Sequence, residues 1–327
     1  MKNSRSCWRR IEQSHMPALF GLSFCLLLLA VLASLCLGAV KLSPDALIRN
    51  MDILRFIRIP RTLAAIFAGA GLAGTGVIIQ TLLGNPLAGP NIIGVNAGAG
   101  FMVLAAGLLF PLQPRLQPLA AFIGALAAVM SVFLLAQKTN ASRMTILLAG
   151  VILNSLFNAA SEALCSFFPD ANMGYAAFRV GGLSAVQTSV LYPAMGLITL
   201  AAFIVILKAD TLELMSLGDE TAFALGVPVK KYRLLFLLCA ACMAGAAVSF
   251  AGLVGFLGLI IPHAARLVAG EEIRRLFPLS LIWGALLMLI CDTVARTAFA
   301  PFELSVGILL SIVGAPIFIR ILLKKAS

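Results

Sequence analysis

The chain has 327 residues, of which 61% are hydrophobic and 11% charged. A soluble domain of that size could not keep so much apolar surface away from its wettable exterior, which excludes a soluble enzyme or binding module. The net charge of +11 would suggest nucleic acid in a soluble protein. Here the basic residues fall in short segments between apolar runs, so they set topology and no nucleic-acid partner is expected.

Apolar runs of about 20 residues, each able to cross a hydrocarbon core of roughly 30 Å as a helix, recur along the chain. Alternating barrel strands are absent. The expected class is an all-α polytopic membrane protein, with one transmembrane domain over 1–327. A basic tail, 1–16, precedes a first span at 17–40. That run exceeds the apolar core of about 7–15 residues of a cleaved signal and has no clear cut site before Lys41, so it is read as retained. Further spans are predicted at 62–83, 93–110, 118–136, 144–167, 190–207, 234–251, 256–269, 277–296 and 303–323, ten in all. The eighth is short and broken by Pro262. Between the second and third, GNPLAGPNI (84–92) is too rich in Gly and Pro for a helix. Such backbone is tolerated at membrane depth only where protein or a water-filled path covers it.

Ten crossings put both termini on one side. The tails and the 137–143, 208–233 and 270–276 loops carry the basic residues that mark this side as cytoplasmic. The exception is the 41–61 loop, with Lys41, Arg49, Arg55, Arg58 and Arg61, which falls outside together with Arg296. One arginine there would only snorkel to lipid phosphates; several converging from different segments suggest an acidic partner. Asp292 and Arg296 are four apart and can pair along one helix face. Glu162, in the outer half of the fifth span, is the candidate for ion coupling, or else a hydrogen-bonded packing residue.

Small residues cluster at 68–76, 97–101, 244–249 and 252–258, as tight helix crossings in lipid require. Cys239 and Cys242 form a CAAC inside a span with no second Cys or His cluster nearby, and read as small core residues. No metal site and no cofactor are expected. H-E-x-x-H, G-x-S-x-G and the P-loop pattern are all missing, so the chain is not read as an enzyme. Another subunit or an ion gradient must supply energy for uphill transport.

In the 208–233 loop, Leu214, Leu217, Thr221 and Leu225 recur at helical spacing, with Asp219 and Glu220 between them and Gly226 and Pro228 as stops. An amphipathic helix tethered at both ends suits a groove on a soluble partner. It also suits the lipid interface, though its acidic centre opposes anionic lipid. On the fifth span, Asn154, Ser155 and Asn158 either face an aqueous passage or bond to neighbouring helices.

Four segments together resemble the FecCD family, the permease subunits of ABC importers for iron–siderophores, haem and vitamin B12. They are RIPRTLAAIFAGAGLAGTGVIIQTLLGNPLAGPNIIGVNAGAGF (58–101), LGDETAFALGVPVKKYR (217–233), GLVGFLGLIIPHAARLVAG (252–270), and DTVAR (292–296) with ELSVGILLSIVGAPIFIRILLK (303–324). The resemblance implies about ten helices per subunit in a bacterial cytoplasmic membrane, surrounded by lipid. It implies a homodimer, or a pair with a homologous permease, around a central path. Two cytoplasmic ABC ATPases would hold the coupling loops, and a substrate-binding protein would dock outside. By the same resemblance, Arg58, Arg61 and Arg296 receive the binding protein, with Arg49 and Arg55 at the margin. Asn85, Pro86, Leu87, Ala141 and Ser142 form the cytoplasmic gate. Leu217, Asp219, Glu220, Ala224, Leu225, Gly226 and Val227 couple to the ATPases. The implied function is ATP-driven import of an iron chelate, a ferric siderophore first, by alternating access. Haem, a corrinoid or a molybdate-type oxyanion are alternatives within the family, and an ion-coupled secondary transporter is the alternative outside it.

Overall fold

The computed structural model describes residues 2–38, 51–138, 143–184, 186–298, 300 and 302–326. Every regular element among them is helical. We number these α1 (Lys2–Cys36), α2 (Met51–Leu83), α3 (Val95–Leu109), α4 (Gln117–Lys138), α5 (Arg143–Phe167), α6 (Pro169–Val180) and α7 (Thr188–Leu207). There follow α8 (Ala209–Ser216), α9 (Asp219–Ala224), α10 (Val229–Ala251), α11 (Leu257–Ala269), α12 (Ile273–Thr297) and α13 (Val306–Ala326). Seven helices are long and apolar enough to cross a membrane, and three shorter apolar ones accompany them. These ten coincide with the ten apolar runs of the sequence.

Four departures matter. Helix α1 starts at Lys2, where a tail to residue 16 was expected. Helix α2 begins at Met51, so Arg55, Arg58 and Arg61 stand on a helix and not in a loop. Leu54–Arg58 forms a π-helical turn just before Pro60. Pro60 has no N–H for the carbonyl one turn back, and the widened turn accommodates the missing bond. Helix α6 fills a stretch read as a connection. The single amphipathic helix expected across 212–228 is two, because Gly218 at φ 117° separates α8 from α9.

Helix α2 is the axis of the fold, packed against α12, α10 and α11. Its small residues explain the closeness of these contacts. A Cβ on Gly69 would lie 2.6 Å from the carbonyl carbon of Gly284 on α12, and one on Gly258 of α11 would lie 2.7 Å from the Leu72 carbonyl oxygen. Backbones this close gain the dispersion contacts that hold helices together where lipid removes the hydrophobic drive. α2 ends at Gly84, whose φ of 60° makes a left-handed cap. The backbone from 84 to 94 then runs without helix, as expected. It is covered: Ala88, Gly89 and Pro90 are buried, and a Cβ on Gly150 of α5 would lie 3.1 Å from the Ile93 Cα.

Helix α1 is peripheral, leaning on α12 through a Trp283 Nε1 bond to Ser23 Oγ of 2.9 Å. Helix α5 buries only Ile146, Gly150 and Ser161 and leaves Leu148, Ile152 and Leu156 exposed.

Candidate functional site

The Asp292–Arg61 and Arg274–Asp210 pairs lie at opposite ends of α12, so the bundle has two ends. One carries Arg58, Arg61 and Arg296; the other carries the 208–233 segment. Helix α12, with 25 residues, spans between them, about 37 Å at 1.5 Å per residue.

At the arginine end, the three expected arginines do converge, but inward. Arg58, Arg61 and Arg296 are only 4%, 8% and 3% exposed. Each already has partners within the chain. Arg58 Nη1 donates to the carbonyls of Leu35 (2.5 Å) and Cys36 (2.8 Å), the unsatisfied C-terminus of α1. Arg296 Nη2 donates to the Ser34 carbonyl at 2.7 Å and to Ser34 Oγ at 2.6 Å. Ser34 Oγ also bonds Thr62 Oγ1 at 2.8 Å. Arg61 Nε reaches both carboxylate oxygens of Asp292 at 3.1 Å. Its Nη1 donates to Glu303 Oε2 at 2.9 Å. Asp292 also faces Arg296 Nε at 3.6 Å, the i,i+4 pair the spacing suggested. A carboxylate shared by two cations, itself 1% exposed, is a structural keystone: its loss would strand two buried charges. Arg55 is exposed and lies over the Phe56 ring, 5.8 Å from the centroid. Lys41 and Arg49 lie outside the described residues.

At the other end, α8 and α9 are clamped to the bundle. Arg274 holds Asp210 through two bonds of 2.6 and 2.5 Å and keeps its carboxyl below the usual carboxylate range. Glu213 Oε2 accepts the Ile273 N–H at 3.3 Å, capping α12. Arg143, the first residue of α5, donates to the Met215 and Ser216 carbonyls at the end of α8. Asp219 faces Arg233 at 2.5 Å and Arg143 at 3.8 Å. Together α8 and α9 are thus bonded to α5, α10 and α12.

The expected coupling residues divide. Leu217 (61%) and Leu225 (56%) are exposed, as are Glu220, Ala224 and Gly226. Val227 is buried, and Asp219, its side chain 36% exposed, is paired with Arg233 and Arg143. The sequence reading missed Phe223, 74% exposed beside them. It is the largest apolar side chain of this patch, out of register with the leucine spacing because the helix breaks at Gly218.

Of the expected gate, Asn85, Pro86 and Leu87 are half-buried. Asn85 Oδ1 accepts the Leu87 N–H at 2.9 Å, fixing the turn. Ala141 and Ser142 lie outside the described residues. Arg143, just beyond them, lies so close to Gly84 that a Cβ there would come within 2.7 Å of its Nη1. One guanidinium, carried by α5, thus abuts Gly84 and bonds the end of α8.

On α5, Asn154 is half-buried and Ser155 and Asn158 exposed. Asn158 opens on a polar cavity of about 400 Å³, lined also by Glu162, Ser166, Asn172, Tyr175 and Arg179. Asn154 and Ser155 do not line it. Asn172, Tyr175 and Arg179 come from α6. Pro169 and Asp170 at its start were the available signal.

The comparisons agree with this architecture. The FecCD transport family matches residues 26–324. An Fe(3+)-citrate import system permease, YfmE of Bacillus subtilis, is 34% identical over 97% of this chain and 98% of its own length. The hemin transport permease HmuU of Yersinia pestis is 37% identical, over 93% and 95%. The vitamin B12 import permease BtuC of Salmonella typhi is 35% identical, over 97% and 98%. An inward-facing ABC transporter structure of metal-chelate type superposes with a TM-score of 0.85 at 29% identity, covering 94% of this chain and 99% of that one. The class is a transmembrane permease subunit of an ABC importer, not an enzyme. This chain belongs to the FecCD transport family.

Proposed function

We propose that this permease carries an iron chelate, a ferric siderophore first, from an extracytoplasmic binding protein into the cytoplasm. Two copies surround the path, and the arginine end faces out. Both termini and the α8–α9 segment face the cytoplasm, where two ATPases seat on Leu217, Phe223 and Leu225. The observation that carries the reading is the tying of α8 to α12, by Asp210 with Arg274 and by Glu213 with Ile273, and to α5 by Arg143. The α8–α9 segment, with its exposed apolar patch and its bonds to α5, α10 and α12, can turn a push from a soluble partner into a bundle motion. The cavity beside Asn158 supports a hydrophilic cargo, because its walls offer carboxamide, hydroxyl and charged groups around the one aromatic ring, Tyr175.

The test is uptake by proteoliposomes holding the permease and its ATPases, with the binding protein added. Uptake of a radio-iron siderophore that requires both partners and ATP, and survives collapse of the ion gradient, is expected. Uptake that needs neither partner and stops when the gradient collapses would replace this reading with a secondary transporter.

A further inference from the structure

Arg61 poses a problem for a docking role: it is 8% exposed and already paired. Its two carboxylates are not equivalent. Asp292 holds the Nε side and has a side-chain exposure of 1%. Glu303 holds Nη1 at 2.9 Å and has a side-chain exposure of 33%. Glu303 stands in the non-helical segment between α12 and α13, where the Leu304 N–H bond to the Ala295 carbonyl (3.0 Å) anchors the backbone. Arg61 and Glu303 both line a recess of about 260 Å³, walled by Gly182, Leu183 and Ser184 beyond the end of α6 and by Ser305. What remains accessible of Arg61 is therefore reached through a recess that Glu303 shares.

We propose that Glu303 is a stand-in carboxylate. In the permease alone it occupies Nη1 of Arg61. On docking, an acidic side chain of the binding protein enters the recess and takes its place. This rests on the reading that the arginine end receives that protein.

Two physical points support the exchange. Glu303 is one-third open to water and regains hydration on release, so its departure costs little once Arg61 is paired again. The incoming carboxylate makes the same charge-assisted bond, so Arg61 is never left as an unpaired buried cation. The exchange explains how a nearly buried arginine can serve docking, and it makes Glu303 a brake on encounter with acidic surfaces.

The experiment uses the permease with its ATPases in nanodiscs and its cognate binding protein. Association rates are measured for wild type, E303Q, E303D, R61Q and the R61Q/E303Q pair. E303Q removes the competitor and, with it, one negative charge. It is expected to speed association about 3- to 10-fold at roughly 50 mM salt, with the gain fading above roughly 0.5 M. E303D, with a shorter reach to Nη1, should show a smaller gain. R61Q should slow docking, and E303Q should add nothing in the R61Q background. Unchanged or slower association in E303Q, with R61Q still impaired, overturns the stand-in role and leaves the docking reading intact. Normal association in R61Q overturns the docking reading, and the stand-in role with it. If E303Q fails to assemble with the ATPases, E303D decides: a wild-type rate there overturns the proposal.

Discussion

Replacing Arg143 by alanine should uncouple ATP hydrolysis from transport. The side chain donates to the Met215 and Ser216 carbonyls at the end of α8. It also faces Asp219 at 3.8 Å and abuts Gly84. Bonds from a charged donor contribute about 1.5–3 kcal/mol each when well formed. One of these is long, at 3.3 Å, and the side chain is 23% exposed, so we take about 2 kcal/mol for the whole tie. That is roughly a 30-fold shift in the fraction of α8 held against α5 and the gate turn. Asp219 retains Arg233 at 2.5 Å, so the fold and the ATPase contact surface should persist. The assay is the ratio of substrate moved to ATP hydrolysed in proteoliposomes. R143A should lower that ratio several-fold while ATPase co-purification stays normal. R143K should recover part of it, because a lysine restores the charge without the fork. A wild-type ratio in R143A would refute the linkage.

Three further outcomes follow from single contacts. Asp292→Asn removes the carboxylate shared by Arg61 and Arg296 and should destabilise by about 3–5 kcal/mol, read as a lower unfolding temperature in detergent. Gly69→Ala should also lower it, by about 1–3 kcal/mol of overpacking against α12; Gly196→Ala, with nothing within 4 Å of its Cβ, is the control. Phe223→Ala should weaken ATPase binding about 30-fold, a typical loss for an aromatic anchor, without changing thermal stability, because the ring is 74% exposed.

The membrane-crossing runs were legible because a bilayer demands long apolar stretches, and few other structures do. The Asp292–Arg296 pair was legible because helical spacing alone brings it together. Helix α6 was not, since its half-polar sequence carries no spanning signal and only the Pro169–Asp170 start marks it. The break at Gly218 lies in a φ of 117°, which glycine permits but does not require. The Arg61–Asp292 bond joins residues 231 apart. The composition placed both residues near one end of the bundle, but only the packing of α2 on α12 turns the guanidinium inward. Arg143 looked like a topology marker, and its bonds to α8 depend on where two loops meet.

The central claim is that the arginine end and the α8–α9 end face opposite compartments, with α8–α9 toward ATP. Single cysteines at positions 303 and 223, in a background cleared of the seven native ones, report this directly with a membrane-impermeant maleimide. The account predicts labelling of position 303 in intact cells and of position 223 only in inverted vesicles. The reverse pattern, or both positions labelled from one side, would contradict it.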